Sequence, residues 1–376
     1  MTTMIPETWM ARALVLARRG LYSTDPNPRV GCVLIKNDRL IGEGWHQYAG
    51  EPHAEINALR HADEDARGAT AFVTLEPCSH QGRTGPCCQA LIEAGVARVV
   101  IAMQDPNPLV AGRGIALLEA AGIEVEVGLL ETQARALNPG FIARMERKRP
   151  FVRLKMAMSL DARTAMASGE SQWITGPAAR TEVQRLRARS SAVMTGVESI
   201  IFDNSRLTVR PEQLNLDQDE TIGRHQPLRV VIDSHLRLPL AAACLREPGR
   251  TLIATCSNDQ ARREAREQAG AQVVVLACEA QGRVDLQALL EYLADQESCN
   301  EVLLETGATL AGAMLDADLI DEMHLFVAPI LLGGEARPLF ALPGLERMAQ
   351  QRALQIDDIR AIGHDWRIIA RPKHRG

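Results

Sequence analysis

His53-Ala54-Glu55, followed further along by Pro77-Cys78-Ser79-His80-Gln81-Gly82-Arg83-Thr84-Gly85-Pro86-Cys87-Cys88, decides how the first half of this chain is read. One imidazole and two thiolates, from His53, Cys78 and Cys87, suit a tetrahedral zinc ion. Three protein ligands leave the fourth position for a water, the open arrangement of catalytic rather than structural zinc. Glu55 then has a task of its own. A carboxylate two residues after the ligand histidine can take a proton from that water and hand it to a leaving amine. The competing readings are a structural zinc knuckle or two buried free thiols, which a lone cysteine pair would favour. Here His, Glu, Pro-Cys and Cys occur together and in order, which favours catalytic zinc. A helix starting at Pro86 can point only one of the adjacent thiols at the metal, and the motif favours Cys87 over Cys88.

The order matches the H-x-E and P-C-x-x-C signature of zinc nucleobase deaminases, with one departure: eight residues separate Cys78 from Cys87. The inserted loop carries His80, Arg83 and Thr84 beside the metal, where a substrate can be gripped. The 376 residues exceed a usual single domain, so two domains are expected, each burying its own core. A formal charge of −5 with acids and bases interspersed argues against a nucleic-acid surface, and aromatics at 3% remove the usual stacking platform. The stretch from Met1 to Met10 is polar and contains Pro6, so no signal peptide, membrane span or membrane partner is expected, and the chain reads as cytoplasmic. Five cysteines outside the motif (Cys32, Cys244, Cys256, Cys278, Cys299) read as core packing.

Along the first half, Glu7 to Arg19 has helical apolar spacing and ends at Gly20. Asp25-Pro26-Asn27-Pro28 is a loop, because each proline fixes its own φ and restricts its predecessor. Val30 to Ile35 and Leu40 to Trp45 read as a hairpin. Helices are expected at 53–60, 86–94 and 114–121, and strands at 69–75, 98–102 and 123–127, which together make an α/β sandwich. Glu131 to Arg149, with Asn138-Pro139-Gly140 and a basic run, reads as the linker. Beyond it, strands alternate with helices up to Ile330, as in a mostly parallel sheet that binds ligands at the carboxyl ends of its strands. Glu305 to Gly312 is a strand, glycine turn and helix start whose amides can cradle a phosphate, although ordinary packing explains it about as well. Ser168 to Trp173 is a polar loop; its tryptophan reads on its own as packing, and its loop setting hints at a ligand.

Both halves together resemble the bifunctional deaminase/reductase family of riboflavin biosynthesis, over essentially the whole chain. The first half carries the resemblance in Pro26-Asn27-Pro28, His53-Ala54-Glu55 and Pro77 through Cys87. The second carries it in Ser159-Leu160-Asp161, Ser168 to Ile174, Arg206 to Arg210, Ile232-Asp233-Ser234 and the Gly307 turn. Gly85 departs from the family, which commonly has proline there. The resemblance implies a cytidine-deaminase-like α/β/α sandwich over residues 1–146 and a dihydrofolate-reductase-like α/β domain over residues 147–376. It implies zinc and NADPH as cofactors, pyrimidine ribosyl phosphates as small-molecule partners, and a homo-oligomer. The implied reaction removes the 2-amino group of 2,5-diamino-6-ribosylamino-4(3H)-pyrimidinone 5′-phosphate and then reduces the ribosyl chain to ribityl, giving 5-amino-6-(5-phospho-ribitylamino)uracil. Asn27, His46, His80 and Arg83 would hold the first substrate. Lys155, Ser171, Arg187, Asp203, Leu207, Arg210 and Glu305 would face the second, the arginines pairing with phosphate. Ala157, Trp173, Ser199, Asp203 and Ser234 would face NADPH, together with Gly307, Ala308, Thr309, Leu310, Ala311, Gly312 and Ala313. Two other readings compete: a nucleic-acid deaminase whose second half is a binding module, and a zinc-stabilised interaction protein, in which Glu55 would be idle.

Overall fold

The structure, a computed structural model, describes residues 5–62, 66–79, 85–108, 110–216, 222, 226–279 and 281–373. His80, Arg83 and Thr84 lie outside the described residues. The chain divides into two compact units, Met1–Arg149 and Pro150–Gly376. Among the described residues no helix is long and apolar enough to cross a membrane.

In the first unit α1 (Pro6–Arg18) buries Met10, Ala13, Leu14, Leu16 and Ala17, the apolar face its spacing predicts. β1 (Gly31–Lys36) and β2 (Arg39–Trp45) form the expected hairpin, turning through Asn37 and Asp38 at φ 51° and 59°, residues that tolerate the left-handed region. There follow α2 (Ala54–Ala62), β3 (Thr70–Val73), α3 (Cys87–Glu93), β4 (Arg98–Ile101), α4 (Arg113–Ala120) and β5 (Glu124–Val127). The five-stranded sheet runs β2-β1-β3-β4-β5; β1 is antiparallel to both neighbours, and β3, β4 and β5 are parallel. On β2, a Cβ at Gly44 would stand 2.5 Å from Ala58 N and 2.6 Å from Ala54 O, so α2 can lie against the strand only over a glycine.

The linker reading of Glu131 to Arg149 is corrected: the segment forms α5 (Glu131–Leu137) and α6 (Pro139–Arg147). Ala134 and Ile142 enter the core, with Leu137 and Phe141 packed against it. Within these short helices Glu131, Glu146 and Arg147 are exposed and interrupt the apolar period, while Arg149, beyond α6, is buried.

The second unit opens with β6 (Phe151–Ser159), β7 (Arg163–Ala165), α7 (Pro177–Ala188), β8 (Ala192–Gly196), α8 (Val197–Asp203), β9 (Leu228–Ile232) and β10 (Thr251–Thr255). It continues with α9 (Gln260–Gln268), β11 (Gln272–Val275), α10 (Leu286–Asp295), β12 (Glu301–Glu305), α11 (Ala308–Asp316), β13 (Glu322–Ala328), β14 (Arg337–Pro338), β15 (Leu354–Ile362) and β16 (Asp365–Pro372). The nine-stranded sheet has the order β11-β10-β9-β8-β12-β6-β13-β16-β15. From β11 to β13 neighbours are parallel, and β16 and β15 are added antiparallel. Alternate strand residues feed two cores, one with Leu154, Met194 and Leu304, the other with Val193, Val231 and Leu303. Helices α10 and α11 cover the first core, and α7 and α8 the second, which is why these strands read as continuous apolar runs.

The reading to Ile330 omits β14 and the β15–β16 hairpin, because Leu354–Ile362 is almost wholly exposed and carries no apolar alternation. Core packing holds for Cys32, Cys244 and Cys299, and for Cys256, which packs against the core from a half-buried position, but is corrected for Cys278. Cys278 is exposed, three residues past the end of β11, where the chain has left the sheet.

Candidate active sites

Strand ends and helix starts of the first unit converge on three ligating atoms. His53 immediately precedes α2, Cys78 follows β3, and Cys87 opens α3. His53 Nδ1 is 3.5 Å from Cys78 Sγ and 3.3 Å from Cys87 Sγ, and the three atoms lie within 4.8 Å of one another. Tetrahedral zinc with bonds of about 2.05 Å to nitrogen and about 2.3 Å to sulfur sets those atoms about 3.5 Å apart, so the residues fit the ion. The Cys87 N–H donates to Cys78 Sγ at 3.3 Å. Cys78 is held down to about 4, chiefly by the hydrogen bond from the Cys87 thiol, while Cys87 is pushed up by the same bond and by burial. Cys88 turns the other way, into the apolar core.

Glu55, in the first turn of α2, is only 3% exposed. Burial lifts its carboxyl to about 7, with the Cys78 thiolate adding to the shift, so it can carry a proton near neutrality. Beside it, His46 Nε2 lies 3.1 Å from Asn27 Nδ2, and His46 Nδ1 lies 3.2 Å from Pro52 O. Burial lowers the His46 pKa, which keeps the ring neutral, with Nδ1–H donating to Pro52 and Nε2 accepting from Asn27. The ring meets His53 edge-on at 5.2 Å. With both ring nitrogens engaged, His46 fixes the Asn27 carboxamide through its Nδ2.

Sequence reasoning passed over Glu76. Its buried carboxylate accepts backbone N–H groups of Gly114 (2.9 Å), Gly112 (3.0 Å), Asp105 (3.2 Å) and Ile115 (3.4 Å), tying the 105–115 loop to the segment that delivers Cys78. A charged residue at the close of an apolar strand, directly before Pro77-Cys78, was the available signal.

The second unit holds a cavity of 1480 Å³ at the carboxyl ends of β8, β9 and β12, the expected edge of such a sheet. Lys155, Ser171, Arg187, Asp203, Leu207, Arg210 and Glu305 line it, as do Ala157, Trp173, Ser199 and Ser234. Of the glycine turn and its helix, Gly307 to Leu310, Gly312 and Ala313 face the cavity. Ala311 does not, a correction: it is fully buried with Met314 and Leu315 on the core side of α11. Trp173 is 69% exposed, with the Arg180 guanidinium 4.9 Å from its ring centroid, so packing does not explain it.

Lys155 on β6 stands beside Glu305 on β12 in the parallel register. Arg187 grips both Glu305 oxygens, at 2.6 and 3.0 Å, and donates to Thr208 O at 2.8 Å. Its carboxylate-matching edge is therefore filled by Glu305 rather than offered to a phosphate. Burial pushes Lys155 below the ordinary lysine range, whereas the Arg187 charge holds Glu305 below the carboxylate range against its burial. Arg206, Arg283 and Arg337 also line the cavity; Arg206 opens the Arg206 to Arg210 motif, whereas Arg283 and Arg337 carry no sequence signal.

Residues 150–368 match the RibD C-terminal domain family, and residues 4–103 match the cytidine and deoxycytidylate deaminase zinc-binding region. The chain is 50% identical over 363 residues to the riboflavin biosynthesis protein RibD of Escherichia coli K12, covering 96% of this chain and 97% of that protein. This chain belongs to the RibD family. A structure of Acinetobacter baumannii RibD, 48% identical, superposes with a TM-score of 0.90 over 98% of this chain and 99% of that one. The Thermotoga maritima diaminohydroxyphosphoribosylaminopyrimidine deaminase/5-amino-6-(5-phosphoribosylamino)uracil reductase, 32% identical, gives a TM-score of 0.83 over 98% of both chains. The two family matches put the deaminase zinc-binding region on the unit that holds His53, Cys78 and Cys87, and the RibD C-terminal domain on the unit with the cavity.

Proposed function

We propose that this chain carries out two consecutive steps of riboflavin biosynthesis, with the first unit, residues 1–149, as a zinc-dependent deaminase and the second, residues 150–376, as an NADPH-dependent reductase; the expected boundary at 146/147 would cut α6. The observation that carries the reading is the pairing of a zinc-fitting His53/Cys78/Cys87 set beside buried Glu55 with a separate strand-end cavity in a RibD-family chain. When bound by those three residues, zinc acidifies a water so that it can act as a nucleophile near neutral pH. Glu55 accepts the proton and returns it to the departing amino nitrogen, so that C2–NH2 becomes C2=O and ammonia leaves. Asn27, oriented by His46, presents its Oδ1 to the pyrimidine.

In the second unit NADPH supplies the hydride, and the protein positions and protonates. Lys155 is the cavity's proton donor for the ribosyl oxygen freed as the sugar opens, with Glu305 and Arg187 fixing its surroundings. Arg210 lines the cavity and takes the phosphate-pairing role, since the matching edge of Arg187 is spent on Glu305. A cytoplasmic homo-oligomer is part of the same reading. A nucleic-acid deaminase fits less well with a net charge of −5 and with acids and bases interspersed along the chain.

Incubation with the diaminopyrimidinone ribosyl phosphate, following ammonia release and NADPH oxidation separately, tests this. Both signals are expected from the wild type. Glu55→Gln should still oxidise NADPH when given the already deaminated pyrimidinedione phosphate, and Arg210→Ala should release ammonia while losing reduction. Loss of both activities in either folded variant would overturn the two-module reading.

A further inference from the structure

Asn138 stands at the N-cap of α6, where an asparagine side chain ordinarily accepts an amide of the first helical turn, yet it makes no such bond. Its carboxamide is spent elsewhere. Oδ1 accepts the Arg29 N–H at 2.8 Å and Nδ2 donates to Arg29 O at 2.9 Å, so that one side chain pairs with both backbone groups of one residue, as a neighbouring strand would. Arg29 answers by donating its Nη1 to Leu137 O at 2.7 Å. Asn138 and Arg29 are both buried, at 4% and 6% exposure, so these bonds are shielded from water.

The clamp sits next to the candidate deaminase centre. Arg29 is two residues from Asn27, and the intervening Pro28 has a ring-fixed φ, so little slack separates them. On the other side the Asn27 N–H donates to Thr24 O at 2.7 Å. From Asn27 the path runs to His46 at 3.1 Å and on to the His53 ring at 5.2 Å.

We propose that Asn138 is a positioning residue for the deamination: by clamping Arg29 it sets Asn27 where its Oδ1 faces the pyrimidine. This rests on the reading of the first unit as a deaminase and of Asn27 as a substrate contact. It gives α5 and α6 a task in that reaction that their sequence does not suggest.

The test uses full-length, zinc-loaded protein and compares KM and kcat for ammonia release in Asn27→Ala, Asn138→Ala and the double variant. Asn138→Ala should raise KM about ten- to a hundredfold, the scale of a small misplacement at a binding group, with zinc content and NADPH oxidation unchanged. The double variant should be no worse than Asn27→Ala alone, because Asn138 acts through Asn27. An unchanged KM in Asn138→Ala, or effects that multiply in the double variant, would overturn the proposal. So would a normal KM in Asn27→Ala while Asn138→Ala is impaired. If Asn138→Ala does not fold, Asn138→Asp keeps the acceptor for Arg29 N–H and removes the donor. A folded Asn138→Asp with raised KM supports the clamp, and one with wild-type KM defeats it. Failure of the wild type to release ammonia strikes the deaminase reading instead, which separates the two outcomes.

Discussion

Glu55 is buried beside a thiolate, an environment that raises its proton affinity to the pH range where a proton shuttle works best. Replacement by an isosteric amide removes the shuttle and leaves the ligands alone. Glu55→Gln should therefore retain one zinc per chain by elemental analysis while ammonia release falls about 10²–10⁴-fold. The adjacent thiols make a second test at this scale. Cys88 lies in the apolar core and Cys87 at the ligand cluster, so Cys88→Ser should keep zinc and Cys87→Ser should lose it. Lys155 gives a pH dependence whose sign follows from burial. Its ammonium loses its proton at lower pH than an ordinary lysine, and reduction needs the acid form. The rate of NADPH oxidation should accordingly fall on the alkaline side earlier than an unperturbed lysine would dictate, and Lys155→Met should abolish that limb together with most of the activity. The zinc set was legible from the sequence because ligand chemistry is a property of residue types in order. The bidentate grip of Arg187 on Glu305 was not, since 118 residues separate partners that only the sheet register brings together.

At the scale of elements, the amino ends of β6, β12 and β13 share a buried ion cluster at the opposite end of the strands from the cavity. Arg153, 1% exposed, donates to Glu301 at 2.6 Å and to Glu322 at 2.5 Å, and His324 Nε2 lies 2.8 Å from Glu322. Burial alone would raise Glu322, but the hydrogen bond from His324 and the Arg153 charge outweigh it and hold the carboxyl well below its ordinary value of 4.5. Burial lowers His324 below its ordinary 6.5, so it donates as a neutral ring. Both groups bind fewer protons folded than unfolded, so each contributes stability that is present at neutral pH and lost on acidification. The melting temperature should begin to fall below about pH 6.5 and fall more steeply below about 4.5, and Glu322→Gln should flatten the lower limb. Arg153→Met leaves Glu301 with Arg189 at 3.2 Å and Glu322 with His324 at 2.8 Å, yet removes the cation they share, and should lower stability by about 3 kcal/mol in denaturant unfolding.

At the scale of the molecule, β15 ends the nine-stranded sheet with an edge that no other strand among the described residues pairs, and on it Ile356 and Ile359 are 56% and 54% exposed, beside Trp366 at 52% on β16. An apolar edge strand is a pairing site unless it is covered, and a second copy of the chain is the covering that fits the proposed homo-oligomer. Ile359→Lys should shift the mass measured by light scattering toward the monomer; an unchanged mass would remove this edge from the assembly. By itself the sequence determined the ordered ligand set with its carboxylate, the α/β class of both halves and the carboxyl-end location of the second site. Those features reside in residue type, in periods of two and 3.6, and in short-range order along the chain. Only the tertiary structure decided that Glu131 to Arg149 is helical and packed, that Asn138 clamps Arg29, that Glu76 gathers the 105–115 loop and that Ala311 turns to the core. Each depends on which distant segment supplies the partner, and a partner 109 residues away leaves no mark in the local pattern.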